Sequence, residues 1–326
     1  MSSREGVDPV RQIADAVLYE GYMLWPYRRS ALKNQQRFTF GGVYPRGWPE
    51  DPSELRSECL LSDASEPRIE ITVRFLQVVR RRLRDPAGRA VDELSVGERR
   101  HLAWDEAVER EVAIGEVPAT VPIAIAAAEQ EEALVRSYGE PAGAIVRSWR
   151  ELGGAVEVDA ERLGAALWRL RIRVANEAEW RGESRAETLE RTFCSTHAIL
   201  RTRSGEFVSL TDPPAELREA AAGCRNEGAW PVLVGEPPDR STLLASPIIL
   251  EDYPRVAPES PGDLFDGGEI DQLLTLNILT LSDEEKAEMR ESDPRAREIL
   301  ERTEGLSEED LMRLHGAIRE FGMSRR

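Results

Sequence analysis

Two stretches of the chain alternate apolar and polar side chains at every position: Ile-Glu-Ile-Thr-Val-Arg-Phe at residues 69–75 and Trp-Arg-Leu-Arg-Ile-Arg-Val at residues 168–174. Successive side chains of a β-strand point to opposite faces of the sheet, so the alternation predicts two strands with one face on a core and the other towards water. The stretches are alike in pattern and not residue by residue, so they indicate no internal repeat.

Weaker signals predict the other elements. Shorter strands are predicted at Arg37–Phe40, Val121–Ala127, His197–Arg201, Phe207–Leu210 and Thr242–Leu250, and helices near His101–Arg110, Glu129–Tyr138 and Asp159–Leu167. The signals follow no regular βαβ alternation. This favours an α+β fold with a largely antiparallel, β-rich body, a sandwich being one form of it, over a doubly wound parallel sheet.

Both ends of the chain carry helix signals. Asp8 before Pro9 is a typical helix start and Pro26 a typical stop, which predicts an N-terminal helix over Asp8–Trp25. Residues 251–326 hold 20 acidic and 10 basic side chains, and they carry helix-start signals at Ser282, Asp293 and Ser307. We therefore predict a main body over residues 1–250 and an acidic loop with a helical C-terminal region over residues 251–326.

The composition limits the classes of partner. The 326 residues carry 43 Lys+Arg against 60 Asp+Glu, a net charge of −17, which disfavours nucleic acid as a partner. The chain has no apolar run near the length of a membrane span, no secretory signal pattern, and only three cysteines. These features predict a cytoplasmic protein without a membrane span or a disulfide scaffold.

Few residues have the spacing of a catalytic or metal-binding motif. The sequence lacks a phosphate-binding loop, a dinucleotide fingerprint, a nucleophile elbow and an H-E-x-x-H motif, so we predict no catalytic residues and no cofactor. Cys194 and His197 have ligand-like spacing, but a closed zinc site needs four ligands, so they are weak metal candidates and no metal is predicted. Arg80–Arg84 resembles a nucleic-acid-binding run, but its place after an amphipathic strand favours a solvated sheet edge or a contact with an N-terminal loop.

The segment Gly21–Trp48 is rich in arginine and aromatic residues. It contains five basic and no acidic side chains, and seven of the 20 aromatic residues of the chain. Interleaved guanidinium groups and rings suit anion binding and protein binding. Three interpretations remain open: an internal core that pairs with the chain's own acidic loop, a surface for a protein partner, or a site for nucleic acid or a small anion.

The complement of that segment is Glu251–Asp271, which carries seven carboxylates and one basic side chain, Arg255. Burying either set of charges alone would leave ions unpaired, so we predict that the part Tyr22–Arg37 meets Glu251–Asp271. The predicted ligand- or partner-binding residues are Tyr22, Trp25, Tyr27, Arg28, Arg29, Lys33, Asn34, Arg37, Glu259, Asp263 and Asp266.

Two stretches carry a family resemblance: LYEGYMLWPYRRSALKN at residues 18–34, and SPIILEDYPRVAPESPGDLFD at residues 246–266 with its continuation to Leu276. They resemble a family of accessory proteins encoded with high-affinity, actinobacterial-type NiFe-hydrogenases. The resemblance implies a non-enzymatic accessory role, as a subunit chaperone, a maturation factor or a bound partner of a hydrogenase, and it supplies no catalytic residues. The alternative is an enzyme or a binding protein that holds a small anionic ligand or cofactor at an arginine, tyrosine and aspartate site.

Overall fold

The structure is a computed structural model that describes residues 9–19, 40–97, 99–136 and 138–254, together with Lys286, Arg297, Leu300 and Glu301 singly. The strands are β1 Glu54–Ser62, β2 Ile69–Arg84, β3 Ala90–Val91, β4 Glu93–Val96, β5 Arg99–Leu102, β6 Trp104–Ile114, β7 Ala119–Ile125, β8 Ala128–Val135, β9 Pro141–Trp149, β10 Leu152–Arg162, β11 Leu167–Asn176, β12 Cys194–Thr202, β13 Glu206–Val208, β14 Trp230–Leu233 and β15 Thr242–Ser246. The helices are α1 Pro9–Tyr19, α2 Arg185–Leu189 and α3 Arg218–Ala222, and a 3-10 turn covers Ala215–Leu217.

Strand β2 organises the larger of the two main sheets. One edge of its 16 residues pairs with β6 from Ile71 to Arg81, and the other edge pairs first with β12 and then with β9. The sheet has eight strands in the order β14-β15-β12-β2-β9-β8, with β3 and β6 also paired to β2. All these pairings are antiparallel. The strand predicted at residues 69–75 is confirmed, and it runs nine residues further.

The smaller sheet has five antiparallel strands in the order β13-β1-β11-β10-β7. The strand predicted at residues 168–174 is confirmed within β11, where Leu170, Ile172 and Val174 are buried. The arginines that alternate with them pair with carboxylates of the neighbouring strands: Arg171 bonds Glu58 at 2.7 Å. One face of this sheet is therefore apolar and the other is a ladder of ion pairs.

The two sheets pack face to face around one hydrophobic core. Val73 and Phe75 of β2 meet Leu170 and Ile172 of β11 in this core, and the Phe75 and Phe193 rings lie 4.9 Å apart. Burial of each such side chain stabilises the fold by about 1.5–3 kcal/mol. The described residues thus form an antiparallel β-sandwich, which confirms the predicted β-rich body.

Helix α1 covers part of the outer face of the larger sheet. It begins at Pro9, as the sequence predicts, and the predicted continuation to Trp25 lies outside the described residues. Val10, Ala14 and Val17 pack against strand side chains, among them Ile199 and Leu244. The helix therefore owes its position to apolar burial on the outer face of β12 and β15.

Three predicted helices are wrong. His101–Arg110 forms β5 and β6, Glu129–Tyr138 contains β8, and Asp159–Leu167 contains the end of β10. Alanine, glutamate and arginine favour helices in isolation, but backbone pairing with β2, β9 and β11 overrides that preference. The strands predicted at residues 121–127, 197–201, 207–210 and 242–250 are confirmed in part, as β7, β12, β13 and β15.

Two predicted elements lie outside the described residues. The strand predicted over Arg37–Phe40 falls there except for Phe40, which is in a turn. Most of the predicted C-terminal helical region also falls there, although the four residues that are described singly all have helical conformation. The α+β assignment and the domain boundary at residue 250 therefore stay predictions. No helix within the described ranges is both long and apolar enough to cross a membrane.

Candidate functional site

The predicted binding residues all lie outside the described part of the chain. Tyr22, Trp25, Tyr27, Arg28, Arg29, Lys33, Asn34 and Arg37 fall between α1 and Phe40, and Glu259, Asp263 and Asp266 follow Pro254. Their predicted meeting, and the alternative site for a small anionic ligand, stay predictions. The structure does place the residues that flank both segments.

These flanking residues converge on the outer face of the larger sheet. Ile13 of α1 and Leu250 pack against the same apolar cluster. Gly41 has a φ of 59°, and a Cβ atom there would overlap the Pro247 ring and the Thr196 carbonyl. The Thr196 backbone N–H donates to the Gly41 carbonyl at 2.9 Å. Gly41, which lies inside the arginine-rich segment, is thus in contact with Pro247, four residues before the start of the acidic segment.

Two large apolar side chains are exposed next to this contact. Phe40, which precedes Gly41, is 42% exposed, and Ile249, two residues after Pro247, is 75% exposed. We call these two residues the Phe40–Ile249 patch. Sequence reasoning placed both in its distinctive stretches but did not single them out, because exposure depends on the fold. Exposed large apolar side chains on either side of one such contact are candidates for a surface that binds another molecule.

A buried arginine lies beneath α1. Arg74 of β2 is 1% exposed, and its guanidinium donates to Asp15 of α1 at 2.6 Å and to Glu109 and Glu111 of β6 at 3.2 and 3.0 Å. Burial alone would lower the pKa of Arg74, but the hydrogen bond to Asp15 and the three carboxylate charges raise it. Arg11 also bonds Glu111, at 2.6 Å. This network fixes α1 to the sheet.

The weak metal candidates Cys194 and His197 lie on β12, on either side of a bulge at Ser195, where φ is 53°. The bulge sets His197 opposite Arg74, and the His197 Nδ1–H donates to the Ser195 carbonyl at 3.0 Å. Burial, aided by the charge of Arg74, lowers the pKa of His197 to about 3. Within the described ranges no three His, Cys, Asp or Glu side chains are grouped to hold a metal ion.

The described parts of the two segments have structural roles. Tyr44 is buried and stacks on Trp48 at 6.1 Å, so at this end of the arginine-rich segment these rings are part of the fold, while Arg46 pairs with Glu177. At the start of the acidic loop, Asp252 accepts hydrogen bonds from Ser209 Oγ at 2.5 Å and from the Leu233 backbone at 2.8 Å. Both segments are therefore anchored firmly where they meet the sandwich.

The arginine run 80–84 is not a solvated sheet edge. Strand β2 lies inside the larger sheet, and each arginine of the run contacts a carboxylate from another element. The pairs are Arg80 with Glu190, Arg81 with Glu106, Arg82 with Asp105 and Arg84 with Glu131. This part of the sequence prediction is wrong, because the run continues a strand that pairs along both edges. The ion pairs also occupy the charges that a nucleic acid would need.

Comparison with known proteins returned no family model and no curated protein that matches this chain.

Proposed function

We propose that the protein is a non-enzymatic interaction protein that binds a partner protein around the Phe40–Ile249 patch. The observation that carries this proposal is the exposure of both side chains beside the contact of Gly41 with Pro247. On the resemblance of residues 18–34 and 246–266, the partner we propose is a NiFe-hydrogenase subunit or another maturation factor.

The surroundings of the patch support this proposal. An effective binding surface has an apolar centre and a polar, charged rim. In sequence, the aromatic and arginine-rich segment directly precedes Phe40, and the carboxylate-rich segment directly follows Leu250. In sequence, the patch is therefore flanked by arginine, aromatic and carboxylate residues.

A rigid base also supports the proposal. The residues next to the two side chains are held in place: Leu250 packs on the apolar cluster that also contains α1 residues, and Gly41 accepts the backbone bond from Thr196. A surface that is ordered before binding loses less conformational entropy when the partner arrives. The patch therefore needs little rearrangement to bind.

Co-purification tests the proposal. The tagged full chain should retain a hydrogenase subunit or a maturation factor from cells that express the hydrogenase. Ile249→Asp or Phe40→Asp should weaken the binding of the purified partner at least about tenfold, because each places a carboxylate in an apolar contact. Val135→Asp is the matched control, since Val135 is 58% exposed but lies on β8.

Two results would count against the proposal. One is equal affinity of the partner for Ile249→Asp, Phe40→Asp and Val135→Asp, which would remove the patch from the interface. The other is a failure of the tagged chain to retain any hydrogenase component, together with unchanged hydrogenase activity in a deletion strain. The second result would remove the hydrogenase and leave the patch to be tested with other partners.

A further inference from the structure

Strand β7 forms an open edge of the smaller sheet. Within the described ranges it pairs with β10 on one side, and no strand pairs with its other side. Thr120, Pro122 and Ala124 are exposed, while Val121 and Ile125 are half-buried at the rim of the core. An edge with exposed backbone groups and an apolar rim is the kind of surface to which an extended peptide adds as a further strand.

A cavity of about 400 Å³ lies at the end of this strand. Its walls include Ala124, Ala126, Gly153, Glu151, Glu177 and Arg191. The small side chains leave room for a single long side chain of a ligand. The cavity therefore extends the surface formed by the open edge, and it has room for one side chain of a bound peptide.

The cavity has an acidic character. Arg191 is already paired, with Glu183 at 3.2 Å, and Glu177 lies 3.7 Å from Arg46. Glu151 is exposed and forms no ion pair with a residue that the structure describes. With Arg191 paired to Glu183 and Glu177 paired to Arg46, the charge of Glu151 is left over at the cavity, and this negative charge favours a cationic side chain there.

We propose that β7 binds an extended peptide as an added antiparallel or parallel strand, with a lysine or arginine side chain of the peptide in the cavity beside Glu151 and Glu177. The peptide backbone bonds the open edge, and its apolar side chains cover Val121 and Ile125. The net charge of −17 favours the approach of a basic peptide. This surface belongs to the smaller sheet, and the proposal does not depend on the Phe40–Ile249 patch.

Pro122 favours a peptide over a second copy of the chain. Proline has no N–H, so it is tolerated in an edge strand and interrupts the row of donors that two identical edges would share. Two copies would also bring together two chains of net charge −17. A short basic peptide avoids this repulsion. It can also pair with β7 in the register in which no hydrogen bond from Pro122 is required.

The test uses the full chain and a fluorescein-labelled peptide of about nine residues with alternating valine and threonine and one central arginine. Fluorescence anisotropy should give an affinity at least about tenfold higher than for the same peptide with glutamate in place of arginine. The double variant Glu151→Lys, Glu177→Lys should lose that preference. Glu216→Lys should retain it, because Glu216 is exposed in the 3-10 turn, away from the cavity.

Backbone methylation separates strand addition from simple charge attraction. Two further peptides carry N-methyl groups on alternate residues. In each peptide the methyl groups remove the N–H donors along one of the two edges of the extended peptide, and the two peptides differ in which edge is blocked. One of them should lose binding at least about tenfold while the other stays close to the parent peptide, because only one peptide edge faces β7.

Three results with the peptides would overturn the proposal. They are no binding of the arginine peptide up to about 1 mM, equal affinity of the arginine and glutamate peptides, and equal affinity of both methylated forms. A concentration-dependent dimer in sedimentation experiments that Thr120→Pro abolishes would also overturn it, since it would assign the edge to a second copy of the chain.

Discussion

The positive charge of Arg74 is buried beneath α1, where it is surrounded by carboxylates of two different elements and not by water. Removing a single partner from a buried ion network leaves the other charges uncompensated. In Arg74→Met, Asp15, Glu109 and Glu111 would remain close together without the guanidinium that joins all three. We expect this substitution to lower the free energy of unfolding by about 3–5 kcal/mol, measured by urea denaturation.

The control for Arg74 is Arg203→Met. The Arg203 side chain is 75% exposed and pairs with Glu70 at the surface, where an ion pair contributes about 0–1 kcal/mol. The two substitutions remove the same charge from different surroundings. Equal losses of stability would show that the network under α1 is no stronger than a surface ion pair.

His197 predicts a dependence of stability on pH. Its pKa is about 3 in the folded chain, because of burial and the charge of Arg74, and about 6.5 in an unfolded chain. Between these values the unfolded state binds a proton that the folded state excludes, so stability falls as the pH falls through this window. The loss attributable to His197 between pH 6.5 and 5 should be about 2 kcal/mol.

His197→Asn tests this dependence, since asparagine retains a donor for the Ser195 carbonyl but has no proton to gain. The variant can be less stable at every pH, but its urea midpoint should change less than that of the natural chain between pH 6.5 and 5. The other histidines are the same in both proteins, so they cancel in the comparison. If the urea midpoints of the two chains changed by the same amount between pH 6.5 and 5, the low pKa of His197 in the folded state would be contradicted.

At the scale of elements, side-chain alternation predicted the strands that bury one of their two faces in the core. Residues 69–75 and 168–174 have one buried and one charged face, so the period of two is visible in the sequence. Strand β8 has almost no buried side chain, and its sequence of alanine and glutamate shows no such period. Pairing with β9 and ion pairs such as Glu132 with Arg147 hold it as a strand, and these are long-range contacts that local pattern cannot reveal.

The candidate site was predictable to a smaller extent. The unusual composition drew attention to residues 21–48 and 251–271, and the structure places their flanking residues on one face. The sequence could not separate internal rings such as Tyr44 from exposed ones such as Phe40, because the same residue type serves both roles. The open edge of β7 was likewise invisible, since it depends on the order of strands in the sheet.

Helix α1 should detach from the sheet when a charge is placed on its apolar face. Ala14 is fully buried against the outer face of the larger sheet, so Ala14→Glu buries an unpaired carboxylate unless the helix moves away. We expect the backbone amides of α1 to exchange hydrogen much faster in this variant, while those of β10 keep their protection. Val135→Asp is the control, because it adds the same charge at an exposed position of β8 and should leave exchange in α1 unchanged.

The whole molecule divides into a covered sandwich and a thinner extension of the larger sheet. Strand β2 is paired along both edges, and most of its side chains are buried on both faces. Strand β8 lies at the far edge of the same sheet, pairs only with β9, and exposes nearly all of its side chains. Local opening costs little where few apolar contacts are lost, so stability should fall from β2 outwards.

Hydrogen exchange followed by mass spectrometry measures this gradient. Amides of β2 between Val73 and Val79 should exchange only through global unfolding, and those of β8 at least about a hundredfold faster through local opening. A mild destabilisation of the core by Val156→Ala, in β10, should accelerate exchange in β2 and leave β8 almost unchanged, because β8 opens without disrupting that core. If β8 were as protected as β2, or if both responded equally to Val156→Ala, the extension would belong to the same cooperative unit as the sandwich.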